Sequence, residues 1–97
     1  GAVEDYQEAL KYNPLFYGAY LCRGHLERSI GNYKNAINDY SQTLVLYANN
    51  TEALDGRALC YRRLAEAAQD SAKKADLIAK AEADEKKAES LKKEEDS

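Results

Sequence analysis

The sequence predicts an all-α protein, a superhelix of stacked antiparallel helical hairpins that ends in a long charged helix. Three observations predict this class. Similar side chains recur every 34 positions, apolar residues within each segment recur at steps of three and four, and turn-forming residues separate the segments. Steps of three and four place side chains on one face of a helix. No segment alternates polar and apolar residues at the period of two typical of a half-buried strand, so we predict no strands.

Two different patterns of side chains each occur twice at the 34-residue period. In the first pattern, Ala2, Val3, Asp5, Tyr6 and Leu10 recur as Ala36, Ile37, Asp39, Tyr40 and Leu44. In the second pattern, Ala19, Tyr20, Arg23, Gly24 and Leu26 recur as Ala53, Leu54, Arg57, Ala58 and Cys60. We name helices with the second pattern A-type and helices with the first pattern B-type. Their alternation predicts a stacked array, because repetition at a fixed period is the signature of repeat architectures.

Turn-forming residues set the limits of the predicted elements. We predict helices over 1–12, 16–30, 33–47 and 51–64, and a further helical segment beyond about residue 70. Pro14 follows the first helix, and Gly31 is placed to end the second in a left-handed cap. Asn49 and Asn50 separate the next pair. We expect the Asn50 side chain to accept a hydrogen bond from a free backbone N–H of the helix that begins at Thr51.

The composition changes after Leu64. Residues 65–97 contain no aromatic residue, Gly or Pro, and they hold 7 Lys against 10 Asp plus Glu, which accounts for the net charge of −3. Ala, Lys and Glu favour a helix, and acid–lysine pairs four positions apart favour an exposed one. A narrow stripe is predicted to dock on the preceding helix: Ala68, Ala72, Ala75, Ile78 and Ala79. Two alternatives stay open, a partner helix that turns back or an extension of the preceding helix.

The two patterns resemble the tetratricopeptide repeat, in which a Trp-x2-Leu-Gly-x2-Tyr helix precedes an Ala-x3-Phe helix and a closing Pro. Ala36 and Tyr40 stand for the Ala-x3-Phe pair. In the first A-type helix, Tyr20 stands for the Trp and Gly24 for the Gly. Glu27 departs from the pattern, because it occupies the position of the Tyr.

The resemblance covers the first two thirds of the chain. It comprises half a repeat over 1–14, a full repeat over 17–50 and half a repeat over 51–64, with residues 65–97 as a charged extension or a degenerate last helix. After Leu64 we do not find the expected Gly-x-Tyr turn or Ala-x3-Phe helix. The chain lacks Met and begins with Gly1 inside an amphipathic pattern, so we expect it to be a fragment of a larger array.

The resemblance implies a protein-interaction scaffold that binds a partner protein or peptide in the groove lined by its A-type helices. Exposed positions on those helices give six candidate partner-binding residues: Leu21, His25, Arg28, Asp55, Leu59 and Arg62. For each of them a merely solvated or packed helix position is an equal alternative. Relatives that grip chaperone tails use Lys and Asn where this chain has Leu21 and His25, which disfavours that function. A further alternative is a structural role in which the charged helix acts as a spacer or coiled coil.

Other classes of function find little support. His25 is the only histidine, and Cys22 and Cys60 do not form a CxxC pair, so the sequence predicts no metal, cofactor or catalytic residue. Cys60 is expected to fill the core. The acidic net charge disfavours nucleic acid, and no apolar run is long enough to span a membrane. We expect a cytoplasmic protein, since nothing indicates secretion or disulfides.

The N-terminal helix is predicted to mediate self-association. It lacks an A-type partner, so Val3, Tyr6 and Leu10 would leave apolar surface exposed to water. About three repeats are needed to bury a continuous core, and this chain has fewer. We therefore expect the isolated chain to associate with a second copy, either by docking this helix or by exchanging helices.

Overall fold

A computed structural model describes residues 1–95. It contains five helices: α1 (Ala2–Tyr12), α2 (Tyr17–Ser29), α3 (Tyr33–Leu46), α4 (Thr51–Ala67) and α5 (Ser71–Glu95). No strand occurs within these residues. The predicted all-helical class is therefore confirmed, and the last two positions of the predicted extension over 65–97 lie outside the described residues.

Helices that are adjacent in sequence pack against each other, and α2 also contacts α4. The body measures 41 × 39 × 18 Å. Its smallest dimension matches about two layers of helices, since one helix with its side chains is about 10 Å across. The chain thus follows a simple path in which each helix packs on the one before it.

The turns form as their residues predict. Gly31 has a φ of 86°, in the left-handed region, and the N–H of the next residue, Asn32, donates to the Glu27 carbonyl at 2.8 Å. The Asn50 side-chain oxygen accepts from the Ala53 N–H at 2.9 Å, which confirms the predicted cap. Helix α4 continues to Ala67, beyond its predicted end at 64, because Ala and Glu at 65–67 favour a helix.

Small residues and one tyrosine form the centre of the core. Ala36, Tyr40, Ala53 and Cys60 have no exposed surface, so the predicted burial of the B-type Ala-x3-Tyr pair and of Cys60 is confirmed. The Tyr40 ring lies against Gly56 of α4. A Cβ added to Gly56 would lie 2.8 Å from Cε1 of Tyr40. Burial raises the pKa of the Cys60 thiol to about 11. This cysteine is therefore an inert packing residue.

Helix α5 turns back along α4 and does not extend it. The residues that α5 buries are Leu77, Ala81, Asp84 and Ala88. The predicted contact stripe is therefore wrong in register, because Ala72, Ala75 and Ala79 are exposed. Asp84 sets the rotation of the helix by accepting two hydrogen bonds from Arg57, from Nε at 2.8 Å and from Nη2 at 2.7 Å.

Two pairs of hydrogen bonds make the α4–α5 hairpin equivalent to the α2–α3 hairpin. Arg23 binds Asp39 as Arg57 binds Asp84, with the same two-pronged geometry. The arginine five positions later in each A-type helix also binds the partner helix: Arg28 donates to the Tyr40 hydroxyl and Arg62 donates to Glu85.

Helix α5 thus has the same hydrogen-bonding position beside α4 that α3 has beside α2. Arg57 follows Arg23 by 34 positions, whereas Asp84 follows Asp39 by 45 positions. The additional 11 residues lie in the longer helix α4 and in the turn after it. The sequence does carry a signal of this, since Ala81-x2-Asp84 repeats Ala36-x2-Asp39 and Ala2-x2-Asp5. The pattern is hard to recognise in α5 because its aromatic residue is absent: Glu85 stands in the place of Tyr40.

Candidate functional site

A cleft of about 350 Å³ lies between the two A-type helices α2 and α4. Its lining residues are His25, Arg28, Glu52, Asp55, Gly56 and Leu59. At Gly56, which lines the cleft, the α4 backbone lies against the Tyr40 ring of α3 with no side chain between them. Gly56 therefore belongs both to the cleft and to the packing contact between α4 and α3.

The Tyr40 hydroxyl lies beneath the cleft and orders its α2 wall. It accepts from Arg28 Nε at 3.1 Å and lies 2.7 Å from His25 Nδ1. The phenol oxygen can donate its one proton to Nδ1 or accept a hydrogen from it, so this contact forms with either tautomer of the ring. Burial raises the pKa of the Tyr40 hydroxyl, so it keeps this proton. The His25 ring is thus oriented by the core.

Nitrogen-bearing side chains line one wall of the cleft and carboxylates line the other. Nε2 of His25 lies 3.4 Å from Glu52, whose side chain is 70% exposed. Farther along α4, Asp55 accepts a hydrogen bond from Lys92 of α5 at 2.7 Å. One wall therefore presents an imidazole and a guanidinium, and the other presents two carboxylates beside the half-buried Leu59.

The structure brings together four of the six predicted partner-binding residues. His25, Arg28, Asp55 and Leu59 line the cleft. Leu21 instead packs against the core cluster and is half-buried. Arg62 turns to α5 and donates two hydrogen bonds of 2.7 Å to Glu85.

Two contributors to the cleft are missing from the sequence prediction. Glu52 lies on the same face of α4 as Asp55, three positions earlier, a spacing that the sequence alone reveals. The Tyr40 hydroxyl could not be found in this way, because its contact with α2 depends on how the helices pack.

Within residues 1–95, no group of three or more His, Cys, Asp or Glu side chains is placed to hold a metal ion. Over the same range, no helix combines the length and the apolarity that crossing a membrane requires. Both cysteines are free thiols, Cys22 exposed and Cys60 buried.

No protein-family model matches this chain, and no curated protein is significantly similar to it.

Proposed function

We propose that the chain is a tetratricopeptide-like scaffold segment that binds a partner protein or peptide in the cleft between α2 and α4. The observation that carries the proposal is the convergence of His25, Arg28, Asp55 and Leu59 on one cleft whose α2 wall is ordered from beneath by Tyr40. Ordered side chains lose little conformational freedom on binding, which favours recognition.

The chemistry of the cleft suits an extended polypeptide that carries both charges. Arg28 and His25 favour an acidic or carbonyl group, while Glu52 and Asp55 favour a basic or N–H group on the other side. Leu59 offers a small apolar contact in the same cleft. The free thiols of Cys22 and Cys60 agree with a cytoplasmic location, which is part of the proposal.

The competing spacer function receives less support. A spacer or coiled-coil helix would keep one face for another chain, yet α5 places Leu77, Ala81, Asp84 and Ala88 against its own α4. A chaperone-tail clamp is disfavoured as well, because Leu21 packs into the core and leaves His25 without the pair of side chains that a clamp needs.

The test replaces two cleft residues together, His25→Ala and Leu59→Ala, and measures which proteins of a cell extract the immobilised chain retains. A matched control carries Gln42→Ala and Val45→Ala on exposed positions of α3, where Val45 is 74% exposed. We expect the cleft variant to lose the partner and the control to keep it.

The purified partner then serves to measure affinity, which should fall at least about tenfold for the cleft variant. Should that variant lose helicity, Glu52→Lys reverses a charge in the cleft without touching the core. Retention of the partner by a folded cleft variant and by Glu52→Lys would refute the proposal.

A further inference from the structure

Four arginines occupy the repeated positions of the A-type helices, and among them, in the described residues, Arg28 alone binds no carboxylate. Arg23, Arg57 and Arg62 each hold a carboxylate through Nε and Nη2. Arg28 donates only from Nε, to the Tyr40 hydroxyl at 3.1 Å, and forms no ion pair within 4 Å in the part of the chain that the structure describes. A guanidinium also carries N–H donors on both terminal nitrogens, and those of Arg28 lack an acceptor there.

The difference follows from one residue of the partner helices α3 and α5. Arg28 and Arg62 are 34 positions apart, and each reaches the residue after the aspartate that its helix binds. That residue is Glu85 for Arg62 and Tyr40 for Arg28. A phenol oxygen is one neutral acceptor, whereas a carboxylate offers two charged oxygens. The positive charge of Arg28 is therefore left without the counter-ion that its equivalent has.

Arg28 is half-buried and lines the cleft between α2 and α4. The fully buried Tyr40 holds it at Nε, and this bond occupies neither terminal nitrogen. A guanidinium held in this way presents paired N–H groups that match the two oxygens of a carboxylate. Because the group is already ordered and has lost part of its water, an anion gains more here than at an exposed, mobile arginine. The cleft thus contains a preformed site for an anion.

The α4 wall limits the charge that an occupant can carry. Asp55 is paired with Lys92 at 2.7 Å, whereas Glu52 is 70% exposed and lies 3.4 Å from Nε2 of His25. Glu52 would repel a second negative group of the occupant and attract a positive one. A phosphate ester, which carries up to about two negative charges, is disfavoured for the same reason. The charges of the cleft therefore fit one carboxylate accompanied by a basic group.

We propose that Arg28 anchors the partner by binding an acidic side chain, Asp or Glu, through its two terminal nitrogens, while a basic side chain of the same polypeptide lies beside Glu52. The inference rests on the proposed function and names the chemistry that its site recognises. The Nε–H of Arg28 keeps its bond to the Tyr40 hydroxyl, so the guanidinium does not move when the partner binds. The acidic side chain supplies to Arg28 the carboxylate that Glu85 supplies to Arg62.

The test selects ligands for the full chain from a display library of random peptides that are joined to their carrier at the C-terminus, so that every carboxylate is a side chain. We expect enriched peptides in which an Asp or Glu accompanies a Lys or Arg. Synthetic copies with blocked ends then serve to measure affinity. Replacing the shared acidic residue by its amide should weaken binding at least about tenfold, since charged hydrogen bonds are lost.

A double-mutant cycle assigns this loss to Arg28. Arg28→Gln removes the charge, while its amide can still donate to the Tyr40 hydroxyl. This variant should bind the acidic and the amide peptides alike, because the coupling between the two groups is gone. The matched control is Arg63→Gln, an exposed arginine outside the cleft that pairs with Glu66 within α4, and it should keep the preference. Circular dichroism checks the fold of both variants, and the change in the peptide leaves the protein untouched.

The outcomes separate this inference from the proposed function. Enriched peptides without an acidic residue, or equal binding of the acidic and amide peptides, would overturn the role of Arg28. The cleft function would still stand if the His25→Ala, Leu59→Ala variant lost those peptides. No enriched peptide at all would count against both. A phosphoserine copy that binds more tightly than the acidic peptide would identify the anion as a phosphate ester and would also overturn the inference.

Discussion

Tyr40 connects the core to the candidate site. Its ring lies against the backbones of two A-type helices, at Gly24 and Gly56, and its hydroxyl orients His25 and binds Arg28. A single buried side chain therefore determines both how closely α2 and α4 approach and how the cleft presents its polar groups. Small residues beside an aromatic ring are needed here because protein interiors are close-packed.

We predict that Gly56→Ala lowers the free energy of unfolding by up to about 2 kcal/mol. The added methyl group would gain about 1 kcal/mol in helix propensity, but overpacking of a close-packed core costs about 1–3 kcal/mol. The cost prevails because the Tyr40 ring is held by hydrogen bonds at its far end and cannot move aside. Urea titration followed by circular dichroism measures the change.

Gly18→Ala is the matched control for this substitution. There the added Cβ meets only the Phe16 ring, which is 50% exposed and free to rotate away. We expect unchanged or slightly higher stability. A Gly56→Ala protein as stable as the Gly18→Ala protein would mean that the ring is not confined.

At the scale of the helices, α5 is held by charge as much as by apolar packing. Its buried face contains Leu77 and two alanines, so it offers little apolar area. The Arg57–Asp84 pair lies in the middle of this interface, with Asp84 8% and Arg57 23% exposed in their side chains. The carboxylate raises the pKa of the Arg57 guanidinium, as expected for a bidentate pair with little water around it.

We predict that Asp84→Ala destabilises the protein by about 2 kcal/mol and frees α5 from α4. Removing one partner of a buried pair costs about 3–5 kcal/mol, and the cost here is smaller because Arg57 keeps water and a hydrogen bond to Ser41. Asp76→Ala is the control, since Asp76 forms an exposed pair with Lys80 within α5. That change should stay within about 0.5 kcal/mol.

Chemical denaturation gives the stabilities, and hydrogen exchange of the α5 amides reports its docking. If both aspartate variants lose the same stability, the Arg57–Asp84 pair does not hold the helix.

For the whole molecule, burial is uneven along the chain. Most of the fully buried residues belong to α3 and α4, and none belongs to α1. Large apolar side chains are exposed where α1 and α3 end: Tyr12, Leu15, Phe16, Tyr17 and Tyr47. Two of them, Tyr17 and Tyr47, contact each other edge to face at 5.2 Å. The N-terminal end is thus the least enclosed part of the described residues.

We predict that α1 opens without the rest of the molecule. Its amide hydrogens should exchange at least about a hundredfold faster than those of the middle of α3, because local opening is easiest where few apolar contacts are lost. Native-state hydrogen exchange at several urea concentrations measures both. Helix α5, which is also terminal but buries four residues, serves as the comparison. Equal protection of α1 and α3 would show that the molecule opens only as one unit.

The sequence by itself determined the helical class, the limits of the first three helices within one or two residues, and the burial of Ala36, Tyr40 and Cys60. These follow from local chemistry, because periodicity, a left-handed glycine and an asparagine cap act within a few residues. Only the tertiary structure decided the rotation of α5, the diversion of Arg62 to Glu85 and the packing of Leu21 into the core. Each of these depends on a contact between distant residues, such as Arg57 with Asp84, and no local pattern specifies which of several arginines and carboxylates will meet.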